Sequence, residues 1–233
     1  MKFNKLAIAL GATVLSGAAA AEFSANIGAT SNYVWRGVTQ TDDAAAVSGG
    51  LDYAHESGFY AGTWASNVDF DDDTTAEVDV YGGFANQIDV GSGLGYDVGV
   101  IYYWYPGGDD INFTEVQGSL SYGPFKGGVN YIVDSDVDDS SDTNDVFVDG
   151  DIYYYLGASF DVAETWTIGG TVGYFDFDED GKNDIDTSYA HYQLDIGKSA
   201  GDLGDFTFSI SSADGESGDS STKVFVAWGK TFD

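Results

Sequence analysis

The residues of this chain that could do chemistry are carboxylates set at every second position of extended segments. Glu77 and Asp79, Asp97, Glu115, Asp149 and Asp151, and Asp195 each alternate with apolar or small neighbours. Asp52 and Asp69 share the pattern, and Arg36, Lys126 and Lys223 are the few bases in the same phase. Side chains at every second strand position face one side. If the strands close into a tube with that side inward, the acids line a low-dielectric path that favours cations over anions. Tyr103 adds bulk in the same phase, so a constriction is expected where Tyr103, Asp97, Glu115 and Asp149 meet. The other possibility is that these groups only pair across a plugged lumen.

A second cluster, Asp176, Asp178 and Asp180 followed by Gly181, resembles the start of an EF-hand loop. Its twelfth position is Thr187 rather than the bidentate Glu, so only a looser calcium site completed by Asp184 and Asp186 is conceivable. The alternative is a solvated acidic loop. No other cofactor is implied. His191 falls on the wet face, and His55 abuts a turn near Ser57. Without a G-x-S-x-G segment this pair is weak support for a nucleophile and base, and no enzyme is expected.

The charge balance narrows the partners. Asp and Glu number 39 against 8 Lys and Arg, a formal net charge of −31 over 233 residues. That surplus of acid argues against nucleic acid and anionic lipid surfaces as partners. There is no Cys, so stability must come from the sheet itself. Lys2 and Lys5 precede an apolar run over residues 6–15 and then a run of alanines. This is the pattern of a signal peptide over residues 1–21, with one domain over 22–233. No later apolar run approaches the roughly 18 residues of a spanning helix, so a membrane form must be a closed barrel.

The elements that would position the acids are long strands. Leu94, Tyr96, Val98, Val100, Tyr102 and Trp104 alternate with small or polar residues, and Gly123-Pro124 marks a tight turn. The pattern repeats to about twelve strands of about 9–14 residues, where soluble strands average about 5–6 and membrane strands need about 9–11. Connections after odd strands are longer and rich in Asp, notably residues 134–145 and 176–186. A lipocalin-like barrel with the apolar face inside would show the same period. Two aromatic bands favour the apolar face outside. Tyr33, Trp35, Tyr102, Trp104, Tyr131 and Tyr174 form the band at the loop end. Tyr122, Phe125, Trp166, Phe206 and Phe232 form the band at the turn end. Tyr60, Trp64, Val68 and Phe70 are assigned to the same apolar face, and the eighth strand is expected to start at Val146. The fold class is thus all-β, a transmembrane antiparallel up-and-down barrel.

Three segments carry a family resemblance: residues 31–40 (SNYVWRGVTQ), 52–60 (DYAHESGFY) and 96–107, with FTEV at 113–116 leading to SLSYGP at 119–124. Together they resemble the TorF-type porins of proteobacterial outer membranes. The resemblance implies an outer-membrane barrel with pore activity, in contact with outer-membrane lipids and, during biogenesis, the barrel-assembly machinery. It supplies no solute and no catalytic residues. One departure is that Asp233 follows Phe232 where such strands often finish on an aromatic. The function expected is passive diffusion of ions and small hydrophilic solutes with a cation preference. The alternative is a closed structural or adhesive barrel.

Overall fold

The computed structural model describes residues 21–88, 93–137, 145–181 and 185–233. Residues 1–20 of the expected signal peptide, part of the acidic loop at 134–145, and Asp184 lie outside the described residues. The strands are β1 (Glu22–Thr30), β2 (Val34–Trp35), β3 (Val38–Thr39), β4 (Ala46–Ala54), β5 (Phe59–Asn67), β6 (Ala76–Gln87) and β7 (Leu94–Trp104). They continue as β8 (Phe113–Tyr122), β9 (Phe125–Ser135), β10 (Ile152–Ala163), β11 (Trp166–Asp176), β12 (Tyr189–Ser199), β13 (Asp205–Ala213) and β14 (Lys223–Phe232).

Twelve of them, β1 and β4 to β14, form a closed barrel, each antiparallel to its neighbours, and β2 and β3 form a separate two-stranded hairpin. Closure is made by β1 against β14, from Ala25 opposite Phe232 to Thr30 opposite Ala227. Between β8 and β9, Tyr122 pairs with Phe125 across Gly123-Pro124. Gly123 has φ 57°, the positive value that a type II′ hairpin needs at its first central residue, and proline fixes the second. All connections at that end are short, whereas those at the other end, such as 31–45 and 105–112, are longer.

The outward face is apolar. Phe23 (76%), Val47 (62%) and Leu194 (65%) are among many large hydrophobic side chains left open on the barrel wall. A surface this apolar has no stable place in water, whereas in hydrocarbon it costs nothing. Among the described residues no helix is long and apolar enough to cross a membrane. The aromatic bands expected at the two ends face outward at Tyr102, Trp104, Tyr131, Tyr174, Tyr122, Phe125, Trp166, Phe206 and Phe232.

Five expected lipid-facing aromatics point inward instead. Among them is Phe70, which packs on the interior cluster from the connection after β5, where Val68 is buried too. Tyr33 is buried and Trp35 packs on the inner core, because β1 ends at Thr30 and the chain folds back into the barrel. Tyr60 and Trp64 also face the lumen, where the Tyr60 hydroxyl donates to Asp97 at 2.8 Å. Aromatics occupy both faces of β5, so hydrophobicity alone could not fix its phase; the outward residue is Phe59. A further correction concerns Val146 and Val148, which precede β10 rather than opening it. Phe147 at φ 64° and Gly150 at φ 106° break the extended chain, and Val148 is buried.

A lipid-facing charge should therefore be costly in proportion to its depth. Leu194→Arg, mid-strand on β12, should lower stability by about 2–4 kcal/mol, and Leu203→Arg in the 200–204 turn by about 0–1 kcal/mol. Urea titration of the barrel in liposomes reads the difference, and equal costs at both positions would rule out the lipid-facing assignment.

Candidate functional site

The hairpin β2–β3 turns on Arg36 and Gly37, both with positive φ (47° and 91°), as a type I′ turn requires. Gly37 is needed twice over, because a Cβ there would lie 2.5 Å from the Cβ of His191. The hairpin tip therefore packs against β12, and from there Arg36 reaches β8 across the lumen. Arg36 donates from both terminal nitrogens to Glu115, Nη1 to Oε1 and Nη2 to Oε2, each at 2.7 Å. Its guanidinium also lies 4.1 Å from the Trp35 ring centroid and 4.2 Å from that of Tyr153. A planar fork matched to a carboxylate and stacked between rings is the geometry that suits arginine and not lysine.

Glu115 is 1% exposed and fully engaged. It also accepts from the Tyr103 hydroxyl at 3.2 Å and from the Asn130 amide at 3.0 Å. A bulge lies opposite it, where Thr114 pairs with Asp134 and Glu115 with Ile132. Val133 is the extra residue, and Ile132, in phase with Asn130, is buried beside Glu115. Near the hairpin's base the Tyr33 hydroxyl donates to Glu77 at 2.8 Å. Lys223 on β14 bridges Asp43 at 2.9 Å and Asp219 at 2.7 Å, and Asp219 accepts from the Thr39 N–H at 3.1 Å.

The sequence-selected residues thus divide. Glu115, Tyr103 and Arg36 come together, with Glu77 and Asp79 buried nearby on β6. The Asp79 Oδ1 has no hydrogen-bond partner among the described residues. Asp97 does not join them. In the β7–β8 register it stands opposite Ser119, whereas Glu115 stands opposite Ile101, about 13 Å further along the barrel. Asp195 lies on β12 and accepts from Ser209 at 2.6 Å and Gln193 at 2.9 Å. Lys126 is exposed near the short-turn end, within electrostatic reach of Asp97. Asp149 is exposed in the connection before β10, so the expected four-residue constriction is not formed. Asp151 is buried there, accepting the N–H groups of Val148 and Asp178, and burial pushes its carboxyl up to about 6.

The expected calcium ligands do not converge. Asp176, Asp178, Asp180 and Asp186 are exposed, and Phe175, Phe177 and Glu179 take the buried alternate positions. Asp180 accepts the Thr187 N–H at 2.6 Å and the Ser188 N–H at 2.9 Å, which holds its carboxyl below the usual range. Among the described residues no group of three or more candidate ligands is assembled. His55 Nδ1 lies 2.7 Å from Ser57 Oγ within one exposed turn. What sequence reasoning missed is the inward fold of residues 31–45. The WRG segment was its one signal, a bulky residue and a base before a glycine.

With this geometry in view, the fold is that of a small porin. The KdgM porin aligns with a TM-score of 0.57 at 7% identity, covering 90% of this chain and 98% of that chain. A structure of the KdgM porin in complex with disordered oligogalacturonate gives 0.55 at 7% identity, covering 89% and 98%. The NanC porin gives 0.54 at 11% identity, covering 91% and 100%. The chain belongs to the family described as bacterial protein of unknown function (Gcw_chp), whose model matches residues 15–230. No curated protein matches it in sequence.

Two outcomes follow from the latch. Arg36→Met leaves the Glu115 carboxylate buried and should cost about 3–5 kcal/mol, while Arg36→Met with Glu115→Gln should recover part of that loss. Urea unfolding in liposomes measures both, and no recovery in the double variant would deny the coupling. The second outcome concerns Asp219. Burial would raise its carboxyl, but Lys223 and the Thr39 N–H outweigh this and hold it below its ordinary value. A depressed carboxyl stabilises the folded contact above its unfolded pKa of about 3.9, and that contribution is lost as pH falls through the lower folded value. The Thr39 amide resonance should therefore shift on acidification below about pH 4, and Asp219→Asn should abolish the transition.

Proposed function

We propose that this protein is an outer-membrane porin passing ions and small hydrophilic solutes by passive diffusion, with the β2–β3 hairpin as its constriction and a preference for cations. The observation that carries the reading is a closed twelve-strand barrel with an apolar outside and an acid-rich inside. The TorF-type resemblance of residues 31–40 and 96–107 supports the same placement in the outer membrane. The longer acidic connections then face outward and the short turns face the periplasm. Outer-membrane lipids and the assembly machinery of such barrels are the partners this implies. Oligogalacturonate, named with the KdgM porin, is a polyanion, and a chain of net charge −31 opposes such a solute. Asp97 and Asp195, away from the Arg36 latch, are the acids best placed to select charge.

A second reading, a closed structural or adhesive barrel, is favoured by one observation: the hairpin is fastened across the lumen by the buried Arg36–Glu115 pair. Planar-bilayer recording separates the two. Discrete steps with a cation-preferring reversal potential support the porin. Absence of steps in the wild type and in Arg36→Met/Glu115→Gln leaves the closed barrel. Neutralising Asp97 and Asp195 should lower selectivity even at 1 M salt, where the Debye length is about 3 Å. Neutralising Asp71, Asp72 and Asp73 should matter only near 0.01 M, where it is about 30 Å.

A further inference from the structure

The loop end of the barrel holds a cavity of about 360 Å³ above the hairpin. Trp35 forms part of its wall, with Tyr105, Phe113, Phe147, Phe177 and Tyr189 around it. This size and lining are those of a small-molecule site, an apolar body with a few polar groups to orient the ligand. The polar groups here are Thr39, Gln40, Thr187, Glu216 and Ser217, and among the described lining residues Glu216 is the one charged side chain.

Phe147 shows that the wall is built and not merely left over. A bulky residue at φ 64° is strained, and such outliers persist only where surrounding structure holds them. Its ring stacks on Phe113 at 5.6 Å between centroids and meets Phe175 at 5.5 Å and Phe177 at 5.6 Å edge-on. With Trp35 it joins the two aromatic clusters of the interior. The strained backbone is what carries this ring into the cavity wall.

We infer that this cup is a binding site for a compact aromatic molecule carrying a neutral or cationic polar group, with the ring among Trp35, Phe113 and Phe147 and the polar group toward Glu216. Ring faces are attractive to other rings and to cations. An anionic substituent would meet Glu216 and the acid surplus of the chain, and would be rejected. This deepens the porin reading by naming a solute class, and it rests on that reading only for the binding to serve transport.

The test is calorimetric titration of the full barrel in detergent micelles with three probes that share one ring: indole, tryptamine and indole-3-acetate. Saturable binding of tryptamine and indole is expected, with indole-3-acetate about tenfold weaker or more. Ser217→Trp, which blocks the rim, should abolish it. Phe147→Leu, which keeps an apolar side chain without the ring stack, should weaken it about twofold to tenfold. Equal uptake of all three probes, or binding unchanged in Ser217→Trp, would mean partition into the micelle and would overturn the site. Conductance is read separately on the same preparation. Binding without conductance would fell the porin reading and keep the site, and conductance without binding would do the reverse.

Discussion

The buried contact between Arg36 and Glu115 is the interaction on which the interior depends. Two charges removed from water repay their desolvation only when geometry and secondary hydrogen bonds are nearly complete. Here the guanidinium is matched at both nitrogens, the carboxylate is also served by Tyr103 and Asn130, and rings cover the guanidinium. The contact can form only if the chain after β1 turns back into the barrel. That requires positive φ at Arg36 itself, where a non-glycine residue resists it. The local strain and the buried pair support each other, and neither would persist without the other.

A barrel in lipid inverts the usual assignment of residues, so its interior cannot be filled by the hydrophobic face of the sheet. This chain divides the task by height. Toward the short turns the lumen is polar, with Asp97, Gln117, Asp195 and Ser209 joined to neighbours by hydrogen bonds. Toward the longer connections it is aromatic, packed by Tyr103, Tyr105, Phe113, Tyr153, Phe175 and Phe177. Glycines on the inner wall make room for tyrosines. A Cβ at Gly62 would meet the Tyr81 ring at 2.6 Å, and one at Gly128 the Tyr155 ring at 2.7 Å.

The same division settles what the acids can do. A carboxylate paired with a cation presents little net charge, and Glu115, forked by Arg36, is the clear case. Asp52, held by the neutral donors Tyr81 and Asn26, is fixed in place but keeps its charge, as do Asp97 and Asp195. A count of acids in the wet phase therefore overstates the charge that a passing ion would meet.

How much was legible in the sequence follows from which interactions are local. Alternation along Leu94 to Trp104 set strand phase directly, because the lipid face tolerates no polar run and period two is intrinsic to the strand. Gly123-Pro124 likewise carried its own turn. The same logic failed at Tyr60 and Trp64, where both faces of β5 carry aromatics and only a partner two strands along the wall, Asp97 on β7, decides between them. It failed at Tyr33 and Trp35, whose alternation continues that of β1 although the chain has already turned inward. Arg36 and Glu115 were each recognised as wet-phase residues, yet their pairing spans residues far apart in the chain. Alternation determined the barrel, its strand number and most of its lipid face. Only the closed tertiary structure decided what fills the lumen, because that depends on which side chains meet across it and not on their spacing along the chain.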